Sequence, residues 1–219
     1  LKLKGAHMYL GGIFGSSVLA TANVMMAAVL AHGETIIECA ACEPEMEELG
    51  NFLSAMGAKI SGHGTPRIVI NGVRKLNGAH YRIGSDRIEA GTFLIMAAAA
   101  KSDILVEDVQ YSHLLALVDK LQHIGVDVKR DGNDVRIRCK KILKPANVAT
   151  HPHPGFPTDL QAQYMTLMAI TPGVSLVTDR VFPDRFMHIA ELNRMGAQIR
   201  RDSGSAIIEG VKQLYGAPV

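Results

Sequence analysis

The chain has 219 residues, enough for one large domain or two small ones with a packed core. Hydrophobic residues make up 47% and charged residues 20%, which excludes a disordered chain. A net charge of +2, 5% aromatics and no Trp argue against a nucleic-acid surface. Three cysteines, Cys39, Cys42 and Cys139, are too few and odd in number for a disulfide scaffold and suit a reducing, cytoplasmic setting. No run approaches the roughly 18 uninterrupted apolar residues of a membrane span, and the first residues do not read as a signal peptide.

The phrase Leu-x-Gly-Ala organises the chain. It stands at Leu3-Lys-Gly-Ala-His7, at Leu76-Asn-Gly-Ala-His80, as the variant Leu143-Lys-Pro-Ala-Asn147, and at Leu214-Tyr-Gly-Ala-Pro218. Its interval of about 70 residues predicts a repeated supersecondary unit that opens on this phrase as its first strand. A chain that begins at Leu1 and stops at Val219 inside a fourth copy is expected to be the middle of something longer.

The elements follow one script in chain order. Apolar helices are predicted over Ser17–Ala31, Ile88–Ala100 and Leu160–Ile170; with no polar face, they are expected to be buried on every side. Short β-rich runs follow at Thr35–Glu38, Ile104–Glu107 and Val174–Val177. Amphipathic helices come next, at Pro44–Met56, His113–Ile124 and Phe186–Met195, each stopped by a glycine: Gly57, Gly125, Gly196. Two alternating strands joined by Gly- and Asp-rich turns close each unit. The fold class is therefore α/β (α+β), built from repeated βαβαββ units whose helices gather inside and whose sheets lie outside. The segment Arg82-Ile-Gly-Ser-Asp-Arg87 breaks the pattern and is the expected hinge.

Several residues can carry chemistry, and each has a plainer reading. The segment Pro152-His-Pro-Gly-Phe-Pro-Thr-Asp-Leu-Gln161 is the least repetitive stretch, and its three prolines are expected to hold it extended. Thr158 with Gln161 has the form of a capping box, and Asp159 falls in the first helical turn. There it either complements the helix dipole or serves as a general base toward a substrate hydroxyl. Gly15, Ser16 and Ser17 precede the first apolar helix, where they cap it or receive a polar ligand. His151 with His153 and Cys39 with Cys42 have metal-like spacings without the further ligands a site needs, so loop histidines and small core-edge thiols are the expected readings.

Three long stretches then bear a family resemblance. They are Pro152–Gln163, Val181-Phe-Pro-Asp-Arg-Phe-Met-His188 with Glu191-Leu-Asn-Arg-Met-Gly-Ala197, and Asp86-Arg-Ile-Glu-Ala-Gly-Thr-Phe93. In these the chain resembles the enolpyruvyl transferases over essentially all its length. The resemblance implies inside-out α/β barrel lobes of three βαβαββ units each. Residues 1–84 would be the last unit of one lobe, and 85–219 two units of the other, incomplete at Val219. It implies transfer of the enolpyruvyl group of phosphoenolpyruvate to the 3-hydroxyl of UDP-N-acetylglucosamine, the first committed step of peptidoglycan synthesis, with no metal or cofactor, no nucleic acid and no membrane. Asp159 matches the family's carboxylate at the sugar hydroxyl, and Val181 a residue whose backbone contacts the sugar. Ser16, Ser17 and Val18 match the nucleotide-sugar segment, with Gly15 at its edge. Leu19 departs from the family's glycine, and the loop before it is longer. The family's reactive cysteine and several phosphate-binding arginines match nothing in these residues. The partners implied are the two substrates and the missing repeats of the parent chain, and the segment alone is expected to be inactive. The alternatives are the shikimate-branch enolpyruvyl transferase and a non-catalytic nucleotide-sugar-binding module.

Overall fold

A computed structural model describes residues 3–218; Leu1, Lys2 and Val219, at the ends of the expected segments, lie outside the described residues. The chain divides into two compact units, Leu1–Gly84 and Ser85–Val219. No described helix is long and apolar enough to cross a membrane.

The first unit runs β1 (His7–Tyr9), β2 (Gly11–Gly12), β3 (Gly15–Ser16), α1 (Val18–Ala28), β4 (Glu34–Glu38), α2 (Pro44–Ala55), β5 (Lys59–Ser61) and β6 (Arg67–Asn71). Its main sheet has the order β1-β4-β6-β5, with β1 parallel to β4 and the other pairs antiparallel. Strand alternation turns Ile37, Ile68 and Ile70 inward, where they meet Met25 and Val29 from the α1 segment and Leu53 of α2. Pro44 at the first turn of α2, with Glu45 and Glu47 beside it, supplies the expected start signal.

The second unit begins with α3 (Arg87–Ala99), capped by Asp86, whose carboxylate accepts from the backbone of Ile88 and Glu89. It continues with β7 (Asp103–Val106), a 3-10 turn at Tyr111–Leu114, α4 (Leu115–His123), β8 (Asp127–Asp131) and β9 (Asp134–Arg138). After β10 (Val148–Ala149) and a 3-10 turn at Thr158–Leu160 come α5 (Gln161–Ala169), β11 (Val174–Thr178), α6 (His188–Arg194), β12 (Gln198–Asp202) and β13 (Ser205–Glu209). The sheets have the orders β7-β9-β8 and β10-β11-β13-β12, with β10 parallel to β11. Leu94, Leu117, Leu121, Ile137, Tyr164, Met168 and Ile208 lie in a single core between the helices and the inner sheet faces.

The repeat has a physical job that differs from the expected one. Leu76–His80 and Leu214–Pro218 form no strand. Instead, the residue after each leucine donates its N–H to the last carbonyl of the preceding amphipathic helix: Asn77 to Met56 (2.8 Å), Lys144 to Ile124 (2.9 Å) and Tyr215 to Met195 (2.8 Å). Those carbonyls belong to helix C-termini that would otherwise lack a partner, and the glycines that follow them, Gly57, Gly125 and Gly196, have positive φ as a C′ residue should. The leucines themselves pack on the cores. The apolar helices are closed likewise, by Val73 N–H on the Val29 carbonyl and Val211 N–H on the Ala169 carbonyl, both at 2.8 Å. Gly72 and Gly210 precede those valines because the chain passes directly over a carbonyl. An added Cβ would stand 1.6 Å from the Ala31 oxygen and 1.7 Å from the Thr171 oxygen.

Of the apolar helices only α5 has no exposed residue, and even there Ala162, Gln163 and Thr166 are only partly buried. On α1 the stripe Leu19, Asn23 and Met26, continued by Leu30, faces outward, as do Phe93 and Met96 on α3. Within its own unit α1 packs against α2 and β6 over only part of its circumference, which leaves the remainder uncovered.

Candidate functional site

Asp159 sits in the 3-10 turn that leads into α5, with its side chain 47% exposed. Its Oδ1 accepts from Arg185 Nη1 at 2.7 Å, and Oδ2 has no hydrogen-bond donor among the described residues. Arg185 reaches it from the loop after β11, held over the Phe182 ring at 5.7 Å. The same Nη1 donates to the Thr158 hydroxyl at 3.4 Å, and Gln161 Nε2 donates to the Arg185 carbonyl at 3.3 Å. A carboxylate is thus presented half-exposed, oriented through one oxygen and open at the other. That is the arrangement a proton acceptor needs.

Two expectations for this stretch are corrected. Residues 152–157 are not extended: Gly155 N–H closes a turn on the Pro152 carbonyl (2.9 Å), and His151 N–H returns to Phe156 (3.0 Å), with His153–Pro154 cis. Proline restricts only its own φ and the residue before it, so the chain stays free to bend at Gly155. Nor does Thr158 form a capping box with Gln161. The α5 start has no side-chain cap; the Thr158 hydroxyl donates to Asp179 Oδ2 at 2.6 Å and accepts from Arg185 Nη1.

Asp179 is the residue that sequence reasoning missed. It is 1% exposed and lies at the exit of β11. Its Oδ1 accepts from Thr150 Oγ1 (2.8 Å), Val181 N (3.0 Å) and Phe182 N (2.7 Å). An aspartate that bonds the backbone two and three residues onward forms an Asx turn, which the sequence Asp179-Arg-Val-Phe-Pro183 signals weakly. The contacts from Thr150 and Thr158 have no local signal. Val181 therefore turns its N–H inward, and its carbonyl has no donor among the described residues.

The other predicted residues lie in the first unit. Gly15 and Ser16 form β3, which pairs with β2 around an exposed tip at Ile13 and Phe14. Ser17 caps α1, accepting from Ala20 N–H at 3.2 Å, and Val18 is the first helical residue. Thr21, fully buried, ties this helix to the cysteine loop by accepting from Ala41 N–H at 3.0 Å. Cys39 and Cys42 are half-buried free thiols. Burial first, then the charge of Glu43, pushes the Cys42 thiol above its usual range, so it stays protonated at neutral pH. Among the described residues no three His, Cys, Asp or Glu side chains converge as a metal site would require. Of the predicted residues, the fold thus brings Asp159 and Val181 to one polar cluster, joined by Asp179 and Arg185, while Gly15 through Val18 belong to the other unit.

Comparison with known proteins bears on the family and the fold. The chain is 53% identical over its whole length to UDP-N-acetylglucosamine 1-carboxyvinyltransferase 2 of Carboxydothermus hydrogenoformans, of which it covers 52%. It is 50% identical, over 99% of its length, to UDP-N-acetylglucosamine 1-carboxyvinyltransferase of Akkermansia muciniphila, again covering 52% of that protein. The chain thus spans about half the length of the curated relatives it matches. In fold it is similar to the enolpyruvyl transferase NikO from Streptomyces tendae, with a TM-score of 0.84 at 19% identity over 95% of this chain and 52% of that one. It is also similar to EPSP synthase from Acinetobacter baumannii, with a TM-score of 0.67 at 23% identity over 97% of this chain and 50% of that one. The family model described as EPSP synthase (3-phosphoshikimate 1-carboxyvinyltransferase) matches residues 1–219, and the chain belongs to that family.

Proposed function

We propose that the full-length protein containing these residues transfers the enolpyruvyl group of phosphoenolpyruvate to the 3-hydroxyl of UDP-N-acetylglucosamine, with Asp159 as the base for that hydroxyl. One observation carries the reading: Asp159 is fixed through Oδ1 by Arg185 and leaves Oδ2 open at the exposed start of α5. The attacking hydroxyl must lose its proton as its oxygen bonds the central carbon of phosphoenolpyruvate, and a placed carboxylate typically contributes about 10²–10⁴-fold to such a step. The free Val181 carbonyl supplies an acceptor that would orient the sugar. Ser16, Ser17 and Val18, with Gly15, would hold the nucleotide portion from the first unit.

The names carried by the relatives near half identity favour the nucleotide sugar over the shikimate-branch substrate. We further infer that the two units belong to two lobes, and that the exposed faces of α1 and α3 pack against repeats outside these residues. Three free thiols suit the cytoplasm as the setting. In the full-length protein, phosphate release from phosphoenolpyruvate should require UDP-N-acetylglucosamine, and Asp159→Asn should lower it by at least about a hundredfold. Release that is unaffected by the substitution would refute the assignment of the base.

A further inference from the structure

We propose that Asp179 is a positioning residue for this reaction: its buried carboxylate fixes the direction of the hydrogen bonds that aim Arg185 and Asp159. The inference rests on the reading of Asp159 as the base. Asp179 accepts from four neutral donors on three stretches of chain: Thr150, Thr158, and the backbone of Val181 and Phe182. No lysine or arginine side chain is hydrogen-bonded to it among the described residues. An ionised carboxylate only accepts, so both threonine hydroxyls are obliged to donate inward. Their lone pairs then face outward. Thr150 Oγ1 accepts from Arg180 N–H at 3.1 Å, and Thr158 Oγ1 accepts from Arg185 Nη1 at 3.4 Å. The guanidinium that grips Asp159 is therefore located by two acceptors, one of which is oriented by Asp179.

An asparagine at this position would fill the same space and could still accept at Oδ1. Its amide would donate toward Thr158, leaving that hydroxyl's proton to point at Arg185, where two donors would face each other. A carboxylate wholly removed from water is unfavourable unless its bonds are complete, and here an amide could satisfy packing nearly as well. What the charge adds is the polarity of the chain from Arg185 through Thr158 to Asp179.

The test uses the full-length protein with phosphoenolpyruvate and UDP-N-acetylglucosamine. Thr158→Val keeps the shape and removes the hydroxyl, while Thr158→Ser keeps the hydroxyl. We expect Thr158→Val and Asp179→Asn each to lower kcat about tenfold, with KM for the nucleotide sugar held within about twofold, since misplacement of a reacting group acts on the chemical step. Thr158→Ser should stay within about twofold of wild type, and the double substitution should be no slower than the slower single one. If Asp179→Asn does not fold, the two Thr158 variants decide the matter. Wild-type kcat in Thr158→Val, or equal impairment of Thr158→Val and Thr158→Ser, overturns the positioning role. Retained turnover in Asp159→Asn would instead overturn the base assignment beneath it, so the two failures are distinct.

Discussion

His188 is half-buried at the first turn of α6, its Nε2 3.2 Å from the Met165 sulfur. Burial, and secondarily the charge of Arg185, holds its pKa below the ordinary 6.5. The folded protein thus resists a proton that the unfolded chain accepts. Stability from this residue is present above pH 6.5 and is lost as pH falls through that value toward the lower folded pKa. His188→Phe, which cannot ionise, should lose less stability than wild type when urea midpoints are compared at about pH 7.5 and about pH 5.5. An unchanged difference would mean that His188 does not carry the acid sensitivity. The residue scale is also where sequence reading was most uneven. Asp159 was visible because a helix start is local, encoded within a few residues. Its partners were not. Arg185 reaches it, and Asp179 reaches the adjacent Thr158, only because the loop after β11 folds back across more than twenty positions.

Element-scale packing places the turn that carries Asp159. Gly91 lies in α3 where α4 and the turn leading into α5 press against it: an added Cβ would meet Leu160 Cδ1 at 2.6 Å and Leu117 Cδ2 at 3.0 Å. Leu160 is the neighbour of Asp159 and is 1% exposed, so it has little freedom to swing aside. Gly91→Ala should therefore destabilise the chain by about 1–2 kcal/mol in chemical denaturation, overpacking outweighing alanine's better helix propensity. Adding Leu160→Val should recover part of that loss, and strict additivity would contradict the proposed clash. The helices and the strands that follow them were legible to within a few residues, since periodicity and glycine stops are local signals, whereas the Leu-x-Gly-Ala phrase did not form the strand expected of it at Leu76 and Leu214. The sequence pattern could not show that Thr158–Leu160 and Tyr111–Leu114 begin as 3-10 turns, a choice made by tertiary contacts.

Across the molecule, the apolar stripes on α1 and α3 mark where burial within the described residues is incomplete. Leu19 is 76% exposed and Met26 47%. Replacing both with Gln should change the stability of the 219-residue chain by no more than about 0.5 kcal/mol, as exposed sites usually do. The same pair should destabilise the full-length protein by about 2–5 kcal/mol if further repeats cover that face. Equal effects in the two proteins would remove the stripe from any such interface. The tail bonds described for the repeats add something different. Each tail returns to cap helices of its own unit: Val73 and Asn77 serve the first, and Val211 and Tyr215 serve the last. No helix end in these pairs borrows its partner from a neighbouring unit. A gene segment encoding one unit therefore encodes its own terminators. Such a segment could be copied in tandem during evolution, or nicked by a protease near Ser85, without leaving those carbonyls unpaired.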